Sequence, residues 1–254
     1  MIDRYNENIV ILSFGVAFLG SYLSICLCEQ YRQCRIGLVE SRLSSNNGFL
    51  GLMTICLGGV GIWCMHFIGM SAVTMVHDGE VIQVRYDICL TITSLVLVLV
   101  FSAMGFYISS HDEVFTKTRK EVLKLFIDDT CGLSMQQVLH IKPIDMIWMI
   151  ATYNPVYILC GGLCTGSGVV VMHYVGMAAM VFRGRIVWNV GMITASCCIS
   201  FLAATTAFWI LFRFLSVYTN RENLRLACAF TMAIAICGMH YVGMFAATFV
   251  DNED

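Results

Sequence analysis

"MHFIGM" at residues 65–70 returns as "MHYVGM" at residues 172–177 and again, letter for letter, at residues 239–244. The chain has only six histidines in 254 residues, and three of them occupy this frame, each between two methionines. At the chain's own residue frequencies, a single chance match to Met-His-aromatic-x-Gly-Met is expected in roughly two of ten thousand such sequences, so three matches mean an internal repeat. His66 and His173 are 107 residues apart, and His173 and His240 are 67 apart. The excess of 40 is close to the surplus length of the polar stretch at residues 110–154 over the short connection before the third copy. The simplest account is a helical hairpin of about 67 residues used three times, each copy ending on the motif, with an insertion in the middle copy.

Outward from the motif the chain is apolar: 58% of residues are hydrophobic and 13% charged, well above the roughly half-apolar make-up of soluble domains. Six runs are long enough to cross a hydrocarbon core of about 30 Å at about 1.5 Å per helical residue. They lie at Ile9–Cys28, Phe49–Val73, Asp87–Ser109, Pro155–Phe182, Ile186–Phe212 and Arg225–Val250. The expected fold is an all-α membrane protein in which residues 1–254 form one domain of six transmembrane helices, arranged as three repeated hairpins. The first run follows an acidic start (Asp3, Glu7) and lacks a small-residue cleavage site, so it reads as a span and not as a secretory signal.

Lys and Arg set the expected orientation. With both termini outward, the inner loops carry Arg32, Arg35, Arg42, Lys117, Arg119, Lys120, Lys124, Lys142, Arg213, Arg221 and Arg225, against Arg4, Arg85, Arg183 and Arg185 outside. That is 11 against 4, as the positive-inside rule requires. Residues 110–154 then form an inner-side insertion: a solvated loop whose stretch "HDEVFTKTRKEVLKLFIDD" has some amphipathic character,. A plasma membrane is the expected location, and nucleic acid is not among the expected partners. Thirteen cysteines without a CxxC pair read as buried thiols.

Measured from the inner helix ends, the motif histidines lie about 17, 18 and 15 residues along, or roughly 23 to 27 Å, which puts them in one layer near the outer edge of the hydrocarbon. With His at 0° and 100° per residue, the following Met falls at about +40° and the preceding Met at about −100°, so sulfur flanks each imidazole. Seven residues before each His stand Gly59, Gly166 and Ala233, small enough for close helix approach. Imidazole and thioether donors suit a soft cation, with copper as Cu(I) the expected metal. The candidate ligands are His66, His173 and His240 with Met65, Met70, Met172, Met177, Met239 and Met244; Cys64 and Cys237 could lend a thiolate. A single membrane histidine is ordinarily a polar residue bonded to the next helix, but a packing role does not require histidine in all three copies. Haem held by His and Met stays open as an alternative, as does a copper transporter or acceptor. His77, Asp78 and Glu80 read as an ordinary wet loop, and His111 and His140 have no partner spacing. We recognise no nucleophile, phosphate loop or paired catalytic carboxylates and expect no enzyme.

Met65-His66-Phe67, Met172-His173-Tyr174 and Met239-His240-Tyr241, each followed by Gly and Met, resemble the motif of the MHYT-domain family of integral membrane sensors across nearly the whole chain. The resemblance implies a six- or seven-helix membrane domain holding copper through those Met and His residues and sensing oxygen, carbon monoxide or nitric oxide. Phe67 replaces the tyrosine of copy one, and Ile68, Val175 and Val242 stand where the family name has threonine. The long inner loop departs from the compact pattern. Family members commonly continue into a cytoplasmic signalling domain, whereas this chain stops at Asp254, so the expected output is an unidentified inner-side partner.

Overall fold

The computed structural model describes residues 2–37, 46–77, 80–118, 121–122, 124, 143–218 and 222–250. Among these described residues, six helices are long and apolar enough to cross a membrane: α1 (Glu7–Arg35), α2 (Gly48–Ser71), α3 (Ile88–Ser109), α4 (Val156–Ala178), α5 (Val190–Val217) and α6 (Glu222–Phe245). The chain is a multi-pass integral membrane protein. Its helices pack as a closed ring in chain order, α6 returning to α1. The motif helices α2, α4 and α6 form the inner set: over an 18-residue apolar stretch of each, 50, 44 and 44% of the residues are buried, against 33, 22 and 33% for α1, α3 and α5.

The spans read from hydropathy run too far at one end of the bundle. Residues up to Phe182 and Val250 do not stay helical, and Ile186 does not begin a helix: the helices stop at Ala178 and Phe245, and strands follow. Each hairpin is closed by an antiparallel ladder. β1 (Ile2–Tyr5) pairs with β2 (Val73–His77), which also pairs with β3 (Glu80–Val81); β4 (Arg85–Tyr86) pairs with β5 (Met180–Val181); β6 (Arg185–Trp188) pairs with β7 (Ala247–Val250). Hydropathy cannot separate these segments from helix because Val, Ile and aromatic residues serve both, while their β-branched character favours the strand.

The closure is the same three times. Asn6, Asp87 and Asn189 cap α1, α3 and α5, their side chains accepting from the backbone N–H of Asn8, Leu90 and Met192, as short polar caps do. Their own N–H groups donate to the carbonyls of Ala72, Ala179 and Ala246 at 2.9, 2.8 and 2.9 Å, and each alanine stands six residues after its motif histidine. Backbone polar groups at a helix end in a membrane protein must find protein partners, and this bond supplies one per hairpin.

Small residues bring the helices together. A Cβ on Gly105 would meet the Gly161 carbonyl at 2.8 Å, and one on Gly20 would overlap the backbone of Gly61, so α3/α4 and α1/α2 cross at backbone contact. Residues Ile55–Cys64 of α2 are wound as a π-helix, whose wider i→i+5 turn breaks the assumed 100° step. Gly59 therefore does not share the role of Gly166 and Ala233. It lies half-buried beside Leu99, whereas Gly166 meets Phe201 and Ala233 is fully buried.

At the end away from the strands, two buried arginines hold the start of the insertion. Arg213, in a second π-helical turn (Ile210–Phe214), donates to both Asp112 carboxylate oxygens and to the carbonyls of Ile150, Tyr153 and Asn154. Arg32 donates to the carbonyls of Phe115 and Lys117 at 3.1 and 2.9 Å. Burial pushes the Asp112 carboxyl above its ordinary range, and the two bonds from Arg213 pull it back. Of the insertion's amphipathic stretch, the described part contains the short helix Glu113–Thr116 with Val114 and Phe115 buried; residues 125–142, including His140, lie outside the described residues.

Candidate metal centre

The three motif histidines meet. His66, His173 and His240 are each 1% exposed, and one ring nitrogen from each lies within 4.8 Å of the other two. His66 Nδ1 is 3.0 Å from His240 Nδ1 and 3.3 Å from His173 Nδ1, and ring centroids stand 4.9 to 5.5 Å apart. Three nitrogens each about 2.0 Å from one ion in a trigonal plane would be ~3.5 Å apart, so the spacing fits a shared cation with small ring shifts. The alternative of hydrogen bonds alone is incomplete. A neutral ring nitrogen is either donor or acceptor, so His66 Nδ1 serves its two neighbours in one sense only.

The opposite edges of the rings are equally constrained. A Cβ on Gly176 would overlap His66 Nε2, one on Gly243 would overlap His173 Nε2, and one on Gly69 would overlap His240 Nε2. Each motif glycine is therefore the seat for the histidine of the preceding copy, in cyclic order. Among the described residues, the Nε2 atoms of His66, His173 and His240 are all buried without a hydrogen-bond partner, each lying against its seat glycine. With Nε2 held against backbone and Nδ1 turned inward, the donor set points at one place.

The aromatic residue of each motif follows the same cycle. Tyr241 meets Ser13 at 2.9 Å and Tyr174 meets Ser196 at 2.6 Å. Both serines donate to a carbonyl three residues back, so the tyrosines are the donors. Phe67 has no hydroxyl, and Trp63 takes its place: its indole N–H donates to Ser94 at 3.0 Å. Tyr5, Tyr86 and Trp188, one residue before each cap, stand 6.5, 5.5 and 5.5 Å from Tyr241, Phe67 and Tyr174. Burial pushes the Tyr86 phenol up, keeping it neutral. These partners went unread in the sequence, although "YNENIVILS" (5–13), "YDICLTITS" (86–94) and "WNVGMITAS" (188–196) carry a second threefold repeat, aromatic-Asn/Asp-x6-Ser.

The six motif methionines separate into two groups. Met70, Met177 and Met244 join in one buried cluster together with Met75 and Met180, which sequence reasoning missed. The preceding methionines lie apart: Met65 packs with Ala17, Ala233 and Cys237, Met172 belongs to the main core, and Met239 lines a small apolar cavity between helices. Neither Cys64 nor Cys237 belongs to the three-histidine group. Asp78 and the side chains of His77 and Glu80 lie outside the described residues. His111 Nδ1 contacts the Tyr107 carbonyl at 2.8 Å.

Residues 59–119 and 166–227 match the MHYT family, described as the bacterial signalling protein N-terminal repeat. The third motif lies outside both stretches, although the fold brings its His240 to the other two. The chain is 29% identical over 249 residues to the bifunctional diguanylate cyclase/cyclic di-GMP phosphodiesterase MucR of Pseudomonas aeruginosa, covering 98% of this chain and 29% of that protein. It is 28% identical over 248 residues to the signalling protein YkoW of Bacillus subtilis, covering 96% and 24%. It is 25% identical over 243 residues to the cyclic di-GMP phosphodiesterase NbdA of Pseudomonas aeruginosa, covering 95% and 24%. The chain thus spans about a quarter of the length of the curated relatives it matches. No solved structure matches it. On the repeat it carries and the relatives that share it, this chain belongs to the MHYT-domain family of membrane signalling proteins.

Proposed function

We propose that this sensor domain holds copper, as Cu(I), on His66, His173 and His240, and reports a diatomic gas or redox change to a partner on the cytoplasmic side. The convergence of three buried imidazole nitrogens carries the reading. Among the described residues no carboxylate joins them, which disfavours hard ions, and thioethers lie about one turn, ~6 Å, along the same helices. A low-valent metal held there by three donors would supply an open coordination position. The chain's own residues fix the rings: glycine seats set their distance and the inner helices exclude water. Nitrogens 3.0 and 3.3 Å apart leave no space for a porphyrin between them, which argues against haem. A transport path would need further donors toward the far end, where Cys160 faces outward and Met53 packs in the core.

The positive-inside rule puts the motif end outside and the arginine clamps in the cytoplasm. Helix α5 joins the two, with Ser196 bonded to the motif Tyr174 at one end and Arg213 holding Asp112 at the other. A signal requires that the ligand bind two helix arrangements unequally; α5 is the element we assign to that difference. The names of the Pseudomonas relatives make a cyclic di-GMP enzyme the class of output we expect. The test is to load detergent-purified protein with Cu(I) under argon. We expect one copper per chain and an infrared band from bound carbon monoxide, both lost in His66→Ala, His173→Ala and His240→Ala. Copper retained in all three variants would overturn the assignment.

A further inference from the structure

A cavity of about 40 Å3 lies between the middles of α2, α4, α5 and α6. A difference between the three copies accounts for it. Gly20 stands 15 residues beyond Tyr5 and Gly105 stands 19 beyond Tyr86, and both carry their helix to backbone contact with the next one. In the third copy the residues 15 and 19 beyond Trp188 are Ala203 and Ala207, and both line the cavity. Each brings a methyl group to a place where glycine lets the other two hairpins close.

The cavity sits one layer beneath the imidazole trio. Ile62, Val169 and Ile236, one from each motif helix, line it, and each stands four residues before its motif histidine, about one turn or ~6 Å toward the middle of the bundle. Its inner wall is closed, with Leu57, Phe208 and Met232 only 3, 0 and 2% exposed. Toward the lipid stand Ala203, Ala207 and Ala235, all half-buried and all small.

The lining selects its occupant. The volume exceeds the ~15 Å3 that a water-sized probe needs, but an enclosed water also needs two or more polar partners. Ser200 already donates its hydroxyl to the Gly166 carbonyl at 3.1 Å, which leaves the buried Thr165 hydroxyl, without a partner among the described residues, as the free polar group of the lining side chains. One hydroxyl does not hold a water, whereas an apolar cavity of this kind takes up apolar gases. An uncharged diatomic molecule is driven out of water into hydrocarbon, so the bilayer is its reservoir and the alanine wall its nearest way in.

We infer that this cavity is a binding site for an uncharged diatomic gas, entered sideways from the lipid between α5 and α6, from which the gas passes to the histidine trio. The purpose of the site rests on the proposed gas reading of the trio; the site itself does not, since it needs no metal.

The experiment uses the whole chain in lipid nanodiscs, metal-free and 13C-labelled at the alanine methyl groups, under xenon pressure with helium as the control gas. The signals of Ala203, Ala204, Ala207 and Ala235 should shift and saturate with xenon and stay fixed with helium, while that of Ala72, at the strand end, should not move. Ala204→Leu, which fills the cavity from its buried side, should abolish the saturable shift. In Cu(I)-loaded protein it should slow carbon monoxide rebinding after photolysis about fivefold, a barrier increase of ~1 kcal/mol, with copper content and the carbon monoxide infrared band unchanged. Ala235→Val, a smaller change at the lipid side, should slow rebinding in the same sense and keeps the test open if Ala204→Leu does not fold. Saturable xenon shifts in a wild type whose copper binds no carbon monoxide would sink the gas reading of the trio and leave the cavity site standing. Methyl signals that never saturate with xenon would refute the cavity site, and rebinding at the wild-type rate in both variants would refute the route.

Discussion

Gly176→Ala places a methyl group where His66 Nε2 now lies. To restore ordinary van der Waals separation, the ring must withdraw by about 1 Å, because carbon and nitrogen at shorter range are repulsive. Metal–ligand distances tolerate about 0.2 Å, so the ring that bridges the other two, at 3.0 and 3.3 Å, leaves the ligand set or drags α2 with it. Displacing a group that orients a ligand costs 10- to 100-fold in metal affinity, about 1.4 to 2.8 kcal/mol. Alanine meanwhile favours helix over glycine by ~1 kcal/mol, which offsets part of the packing penalty, so affinity should fall far more than stability. The assay is Cu(I) competition with a chromophoric chelator, run beside a thermal melt followed by circular dichroism. Gly238→Ala, where an added Cβ has open space, is the control: it should leave Cu(I) affinity unchanged and raise stability by up to ~1 kcal/mol through the same helix preference. A folded Gly176→Ala protein that binds Cu(I) as tightly as wild type would refute the reasoning that glycine seats position the trio.

Trp63→Phe removes the N–H that Ser94 accepts and should destabilise the protein by ~0.6 to 1.7 kcal/mol; adding Phe67→Tyr should restore most of it, since the new hydroxyl would donate to Ser94 as Tyr174 donates to Ser196, as melting temperatures will tell. Asp112→Ala leaves the fully buried Arg213 without its carboxylate and should cost about 3 to 5 kcal/mol, whereas Asp112→Leu combined with Arg213→Met should melt closer to wild type. Asn189→Ala removes a cap bond to Met192 and should cost ~1 kcal/mol by chemical denaturation. A phosphatase reporter joined after Val250 should be active outside the plasma membrane, and a fluorescent protein at residue 130 should glow in the cytoplasm; the reverse pattern would invert the proposed orientation.

Composition and the motif made much of this arrangement legible. Six apolar runs locate six helices because the bilayer imposes one length on all of them, and the repeated histidine specifies that three of the helices face inward. The helix ends were not legible: Met180–Val181, Arg185–Trp188 and Ala247–Val250 are as apolar as the helices they follow or precede, and the strand choice depends on partners distant in sequence. The role of α2 residues before His66 was misread because ten residues there are π-wound, and no one-dimensional period announces that. The glycine after each histidine was visible as part of a repeat, yet its purpose appears only when the neighbouring copy's ring is found lying on it. The aromatic-Asn/Asp-x6-Ser repeat was readable but lacks a rare residue such as histidine to draw the eye. Met75 and Met180 reach the motif methionines only through strand pairing and packing.

The central claim is that three imidazole nitrogens from separate helices share one copper ion. X-ray absorption at the copper edge of Cu(I)-loaded wild-type protein tests it most directly. The account predicts a first shell dominated by three nitrogen scatterers at ~2.0 Å with the multiple-scattering pattern of imidazole, reduced by one nitrogen in any His→Ala variant that still retains metal. A shell built of sulfur alone, or one unchanged by loss of His66, would contradict it.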